Sequence, residues 1–169
     1  MNEIYSAIIQ EVNFIRVCEK MELKVKFLSE KIGKEIPSPF YATNGSAGMD
    51  LPACIDEPLK INPGERVAVP TGIAIALPSN EYVGLVFARS SLGLKKGITL
   101  PNAVGVIDSD YRGEILVALT NISDEPYTIS PAERIAQLVI MPVCIAKIKV
   151  VDELSSTQRG DGGFGSTGI

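Results

Sequence analysis

The rhythm of hydrophobic and polar positions changes once along the chain, near Met21. Before it, Ile4, Ile8, Val12 and Ile15 recur at spacings of four and three, with Ile9 beside them. One apolar stripe at that period predicts a helical N-terminal extension over residues 1–20. So short a helix is marginal unless its stripe docks on something. Met21 is an alternative start, which would make the extension dispensable. After Met21, Leu23, Val25 and Phe27 alternate with Lys24 and Lys26, the period of a strand. Short apolar runs follow over residues 66–69, 72–77, 82–88, 115–119, 135–141 and 145–151. Pro63-Gly64, Pro78-Ser79-Asn80 and Ser123-Asp124-Glu125-Pro126 punctuate them. Many short strands at close spacing predict an all-β sandwich or barrel and leave little room for βαβ units. Residues 21–154 read as that β domain. Residues 155–169 are polar and Gly-rich, and composition marks them as a flexible arm.

Composition narrows the chemistry. The formal net charge is −4, so there is no basic footprint for nucleic acid and no attraction to an anionic membrane. No apolar run reaches membrane-spanning length. Glu3, Glu11 and Glu19 make the start unlike a secretory signal, and the cytoplasm is the expected compartment. Cys18, Cys54 and Cys144 are far apart and odd in number, as free thiols in a reducing compartment are. There is no histidine at all. That excludes His general bases, Ser-His triads and His-ligated zinc. Catalysis is left to carboxylates, hydroxyls, Arg or Lys, backbone amides and a hard metal ion.

Five segments do not look like ordinary strand or turn filler. The tail Arg159-Gly160-Asp161-Gly162-Gly163-Phe164-Gly165-Ser166-Thr167-Gly168 sets glycines around one aromatic, with hydroxyls beyond and an Arg upstream. Glycines let a backbone approach anions closely, Arg suits phosphate oxygens, and Phe offers a face for a base. A solvated linker has the same composition, and no Gly-Lys-Ser/Thr of a P-loop is present. Ala88-Arg89-Ser90-Ser91-Leu92 groups phosphate-type donors after an apolar run, although Arg and Ser also cap strand ends. The long segment Asn102-Ala103-Val104-Gly105-Val106-Ile107-Asp108-Ser109-Asp110-Tyr111-Arg112-Gly113-Glu114 combines an amide that donates and accepts with carboxylates after Val106-Ile107, a pair that strand logic buries. A turn carboxylate is the plainer reading of Asp108 alone, and a core aromatic that of Tyr111. Ala47-Gly48-Met49-Asp50-Leu51 and Glu133-Arg134-Ile135-Ala136-Gln137-Leu138 complete the set.

In order and spacing these five segments resemble the five motifs of the trimeric dUTPase family (deoxyuridine triphosphate nucleotidohydrolases). The resemblance covers the chain from about Met21 to Gly168. One departure lies in the fourth motif. The family often has Gly before the acidic residue and Arg, and here Ala132 precedes Glu133-Arg134, which puts the local turn in question.

The resemblance implies a distorted, β-clip-like jelly roll and a homotrimer whose active sites are shared between chains. It implies hydrolysis of dUTP to dUMP and pyrophosphate. Asp108 would hold the water that attacks the α-phosphorus, and Gln137 would order the α-phosphate and that water. Asp50 would hold waters of a Mg²⁺ ion on the triphosphate. Arg89, Ser90 and Ser91 would bind the phosphates. Asn102, with backbone groups at Gly105, Val106 and Ile107, would read uracil in a hairpin. Tyr111 would lie under the deoxyribose and leave no space for a 2′-hydroxyl. Phe164 would stack on uracil while Arg159, Gly165, Ser166 and Thr167 grip the γ-phosphate. Arg134 would brace the site. Two other readings compete: a dCTP deaminase of the same superfamily, and a non-catalytic dUTP-binding signalling protein. The complete third segment and the tail argue against the first, and Asp108, Asp50 and the tail together argue against the second.

Overall fold

The computed structural model describes residues 21–163. The predicted helix over residues 1–20 and the end of the tail, including Phe164, Gly165, Ser166 and Thr167, lie outside the described residues. Twelve strands and one short helix follow in order: β1 (Lys24–Phe27), β2 (Phe40–Tyr41), β3 (Met49–Pro52), β4 (Leu59–Ile61), β5 (Arg66–Pro70), β6 (Ile73–Ala76), β7 (Tyr82–Ala88), α1 (Ser90–Lys96), β8 (Ile98–Thr99), β9 (Val104–Ile107), β10 (Leu116–Asn121), β11 (Tyr127–Ile129) and β12 (Arg134–Pro142).

Every ladder is antiparallel. The largest sheet has the order β2-β3-β12-β7-β9. A three-stranded sheet, β5-β10-β8, and two pairs, β1-β6 and β4-β11, complete a distorted jelly roll. Period-two alternation sends Tyr82 and Val86 of β7 and Val117 and Leu119 of β10 inward. They meet Leu51, Ile61, Ile73, Ile115, Ile129, Ile135 and Leu138 in one core.

Most expected strands are present, and three expectations are corrected. Residues 145–151 carry a strand-like pattern but form no strand. Among the described residues the last backbone bond to the body before this segment is Val143 N–H to Glu81 O at 2.7 Å. Beyond it Ile145, Ile148, Val150 and Leu154 stand exposed. A strand exists only where a neighbour accepts its amides, and none of the described residues does so here. Val106 is 62% exposed, not buried, because β9 is the outer strand of its sheet. The third segment is also not a paired hairpin among the described residues. β9 pairs with β7, whereas β10 pairs with β5 and β8, so residues 108–115 cross between sheets.

Candidate active site

A charge cluster is assembled on the β3-β12-β7 part of the large sheet. Gln137 lies directly opposite Asp50 on β3 and opposite Phe87 on β7. Cross-strand partners share a face, and so does Arg89, two residues beyond Phe87. Arg134 is three residues from Gln137, so a regular strand would send it to the other face. A bulge between Arg134 and Ala136 adds one residue to β12 and turns Arg134 back onto the face of Asp50.

Asp50 is almost sealed from solvent and is the hub of this cluster. Arg134 Nη1 donates to its Oδ2 at 2.9 Å. Gln137 Nε2 donates to its Oδ1 at 3.4 Å. Arg89 Nε lies 3.2 Å from the same Oδ1, but forms no hydrogen bond there. The contact is Coulombic, so the guanidinium keeps donor capacity for another anion. Arg89 Nη1 also reaches Arg134 O at 3.4 Å. Gly48 sits against this group: a Cβ there would lie 3.1 Å from Gln137 Cβ. Ser90 and Ser91 open α1 beside Arg89 and are exposed. Two guanidiniums and an amide on one face, with two exposed serines next along the chain, suit a polyphosphate.

The third segment forms a second group. Asn102 and Asp108 are exposed, and Ile107 packs on the core from β9. Asn102 O accepts Val104 N–H at 2.7 Å across Ala103, whose φ is 62°. Gly105 lies close to β7, where a Cβ would approach Val86 Cβ to 3.1 Å. Tyr111 N–H donates to Asp108 O at 3.2 Å, and Tyr111 Oη donates to Glu114 O at 3.0 Å. The expected core aromatic is therefore a half-exposed ring lying on its own loop.

The single chain does not bring Asp108 to Gln137. β9 lies two strand spacings from β12, about 10 Å, and Asp108 is four residues along from the row of Gln137, Phe87 and Val104, about 13 Å. The two residues are thus roughly 16 Å apart, well beyond the span of one shared water. Among the described residues Arg159 makes no contact with the cluster: its Nε donates to Gly162 O at 2.8 Å.

The cluster does not fit a resident magnesium ion at Asp50. Its two oxygens face two guanidiniums and an amide, an arrangement that repels a dication. Among the described residues no three Asp, Glu, His or Cys side chains converge.

The family model for dUTPase matches residues 34–168. The chain belongs to the dUTPase family. A deoxyuridine 5'-triphosphate nucleotidohydrolase of Idiomarina loihiensis is 51% identical over 147 residues, covering 87% of this chain and 97% of its own. That of Neisseria meningitidis is 51% identical over 149 residues, covering 88% and 98%. Among solved structures, a variant dUTPase of Staphylococcus bacteriophage 80alpha with dUpNHpp has a TM-score of 0.76 at 29% identity, covering 88% and 99%. A dUTPase variant from phage phi11 of S. aureus, described with a structural Mg(II) ion, has a TM-score of 0.69 at 25% identity, covering 80% and 99%.

Two features were not legible in the sequence. The Asp50–Arg89–Arg134 contact joins residues 39 and 84 positions apart and depends on the bulge, which has no local signature. Gly48 had a signal, a glycine inside a strand-like segment, but its neighbour Gln137 is distant in sequence.

Proposed function

We propose that this member of the dUTPase family hydrolyses dUTP to dUMP and pyrophosphate in a site that several copies of the chain build together. The product supplies dTMP synthesis, and removal of dUTP keeps uracil out of DNA. The observation that carries the reading is the guanidinium pair fixed on Asp50 beside Ser90 and Ser91, in a chain the dUTPase model matches over residues 34–168.

Arg89, Ser90 and Ser91 hold the phosphate chain, and Gln137 orders the α-phosphate. Asp108 positions the attacking water and takes part of its proton. The cationic phosphate site makes the phosphorus more electrophilic and so eases the attack. Asn102 and the backbone of Gly105, Val106 and Ile107 read the uracil edge, and mismatched donors reject cytosine. Tyr111 lies under the sugar. Phe164 covers the base, and Arg159, Gly165, Ser166 and Thr167 close on the γ-phosphate. Magnesium would come with the nucleotide and would supply charge neutralisation on the phosphates.

The separation of Asp108 from Gln137 supports a homotrimer with shared sites. So does the apolar segment at residues 143–154, which a second copy can cover. We place the enzyme in the cytoplasm, with residues 1–20 ancillary to hydrolysis. Among the described residues no helix is long and apolar enough to cross a membrane.

The test is pyrophosphate release from each deoxynucleoside triphosphate, with Asp108→Asn alongside. The variant is expected to bind dUTP and to lose turnover by orders of magnitude. Near-normal turnover removes Asp108 from the reaction. Ammonia from dCTP without pyrophosphate from dUTP would replace hydrolysis with deamination.

A further inference from the structure

Gly113 is the most crowded glycine among the described residues. A Cβ built on it would lie 2.4 Å from Tyr111 Oη, 2.7 Å from Cζ and 3.1 Å from Cε2. Ordinary contact begins at 3.4 Å, so the ring occupies the space that any side chain at 113 would need. The backbone itself makes no such demand. Gly113 is not among the glycines with positive φ, so alanine is compatible with its main chain. The requirement for glycine comes from the ring alone.

One hydrogen bond seats the half-exposed ring on a loop whose backbone is itself pinned. Tyr111 Oη donates to Glu114 O at 3.0 Å, which bends the ring back across Gly113. Glu114 in turn is bolted to the body: its Oε1 accepts Gly72 N–H at 2.7 Å, and Ile115 N–H donates to Ile73 O at 2.9 Å. On the other side Arg112 Nη1 donates to Ser109 O and Tyr111 O, both at 2.8 Å. The loop backbone is therefore pinned, and the ring lies over the bare backbone of Gly113, tied there by its hydroxyl.

We propose that Gly113 is a specificity-determining positioning residue, acting through Tyr111 to set the preference for a deoxyribose over a ribose triphosphate. This rests on the reading that Tyr111 underlies the sugar. A plate excludes a 2′-hydroxyl only while its height is fixed, and a shift of about 1 Å is enough to degrade a site of this kind. A methyl at 113 forces a shift of that size and breaks the hydrogen bond to Glu114 O.

The test compares kcat/KM for dUTP and UTP in Gly113→Ala, Tyr111→Ala, Tyr111→Phe and the double variant Gly113→Ala/Tyr111→Ala. Gly113→Ala is expected to lower the dUTP:UTP ratio at least tenfold. Tyr111→Ala is expected to lower it further, and Tyr111→Phe part-way, since the ring stays but its tether is gone. Adding Gly113→Ala to Tyr111→Ala is expected to change the ratio no further, because the residue it acts through is absent. If Tyr111→Ala lowers the ratio and Gly113→Ala does not, the role of Gly113 is overturned while the sugar contact stands. If Tyr111→Ala leaves the ratio intact, the sugar contact fails and the proposal falls with it. Should Gly113→Ala not fold, Tyr111→Phe carries the comparison: an unchanged ratio there overturns the fixed seat.

Discussion

Arg134 reaches Asp50 only because β12 carries one residue more than β3 between Arg134 and Ala136. The bulge converts an odd spacing into a shared face, and Asp50 then holds two guanidiniums that would otherwise repel each other. Asp50→Asn removes the anion and leaves the cations in place. Asp50 is buried but Arg134 is partly exposed, so the cost falls between that of a surface pair and a buried one. We expect a loss of roughly 2–3 kcal/mol in stability and a fall in kcat/KM for dUTP. Thermal unfolding and steady-state kinetics measure both. An Asp50→Asn protein as stable as the parent would show that the cluster contributes little.

Sharing of sites predicts complementation. Asp108→Asn and Gln137→Ala should each be nearly inactive. Unfolded together and refolded as a mixture, they form sites in which one chain supplies Asp108 and another Gln137. Random assembly predicts recovery to about one-quarter of parental activity. A mixture as inactive as its components would place both residues in the same chain's site.

Ser130, Pro131, Ala132 and Glu133 form a turn closed by Glu133 N–H on Ser130 O at 3.1 Å. Ala132 has φ 63°, as the third position of a type II turn requires, so the turn survives the loss of the family's frequent glycine. The left-handed conformation costs alanine about 1–2 kcal/mol. Glycine returns about 0.5–1 of that through its freer unfolded state. Ala132→Gly is therefore expected to stabilise by about 0.5–1 kcal/mol, read as a rise in denaturation midpoint. A lower midpoint would mean that the turn carries no strain.

Tyr127 donates to Glu133 beside that turn. Burial, and then the hydrogen bond to the Glu133 carboxylate, push its hydroxyl up to about 12. The folded state holds this proton more tightly than the unfolded state, so the associated stability is complete below pH 10. It is lost as pH rises from about 10 to about 12. Tyr127→Phe should flatten the stability profile in that window. In the parent, one phenol absorbance step should fall near pH 12; if all titrate near 10, the burial of Tyr127 is insufficient.

The arm is the last test. Among the described residues, 157–163 bond only among themselves, through Gly160 N–H to Thr157, Gly162 N–H to Arg159 O and Arg159 Nε to Gly162 O. Truncation before Arg159 should leave the melting temperature unchanged and cripple turnover. Full activity would make the arm a linker.

Where periodicity and packing agree, the sequence was readable. The alternation in residues 82–88 became β7, and the apolar run at 135–141 became the centre of the large sheet. Where a strand depends on something outside the local pattern, it was not. Met49–Pro52 is buried throughout and so shows no alternation, and residues 145–151 alternate without a partner. The short helix at Ser90–Lys96 hid behind two serines and a glycine, poor helix formers held by their position between strands. The site divided in the same way. Residue types were legible in the motifs, but the two arginines gathered on Asp50 were not.

The bare segment at residues 143–154 has a consequence for synthesis. It follows β12, so it leaves the ribosome only after the last strand of the body is available to fold. Its apolar side chains emerge when every strand of the large sheet has already been made. If copies of the chain do associate through this segment, the order of residues along the chain delays that contact until the body of each copy has been made.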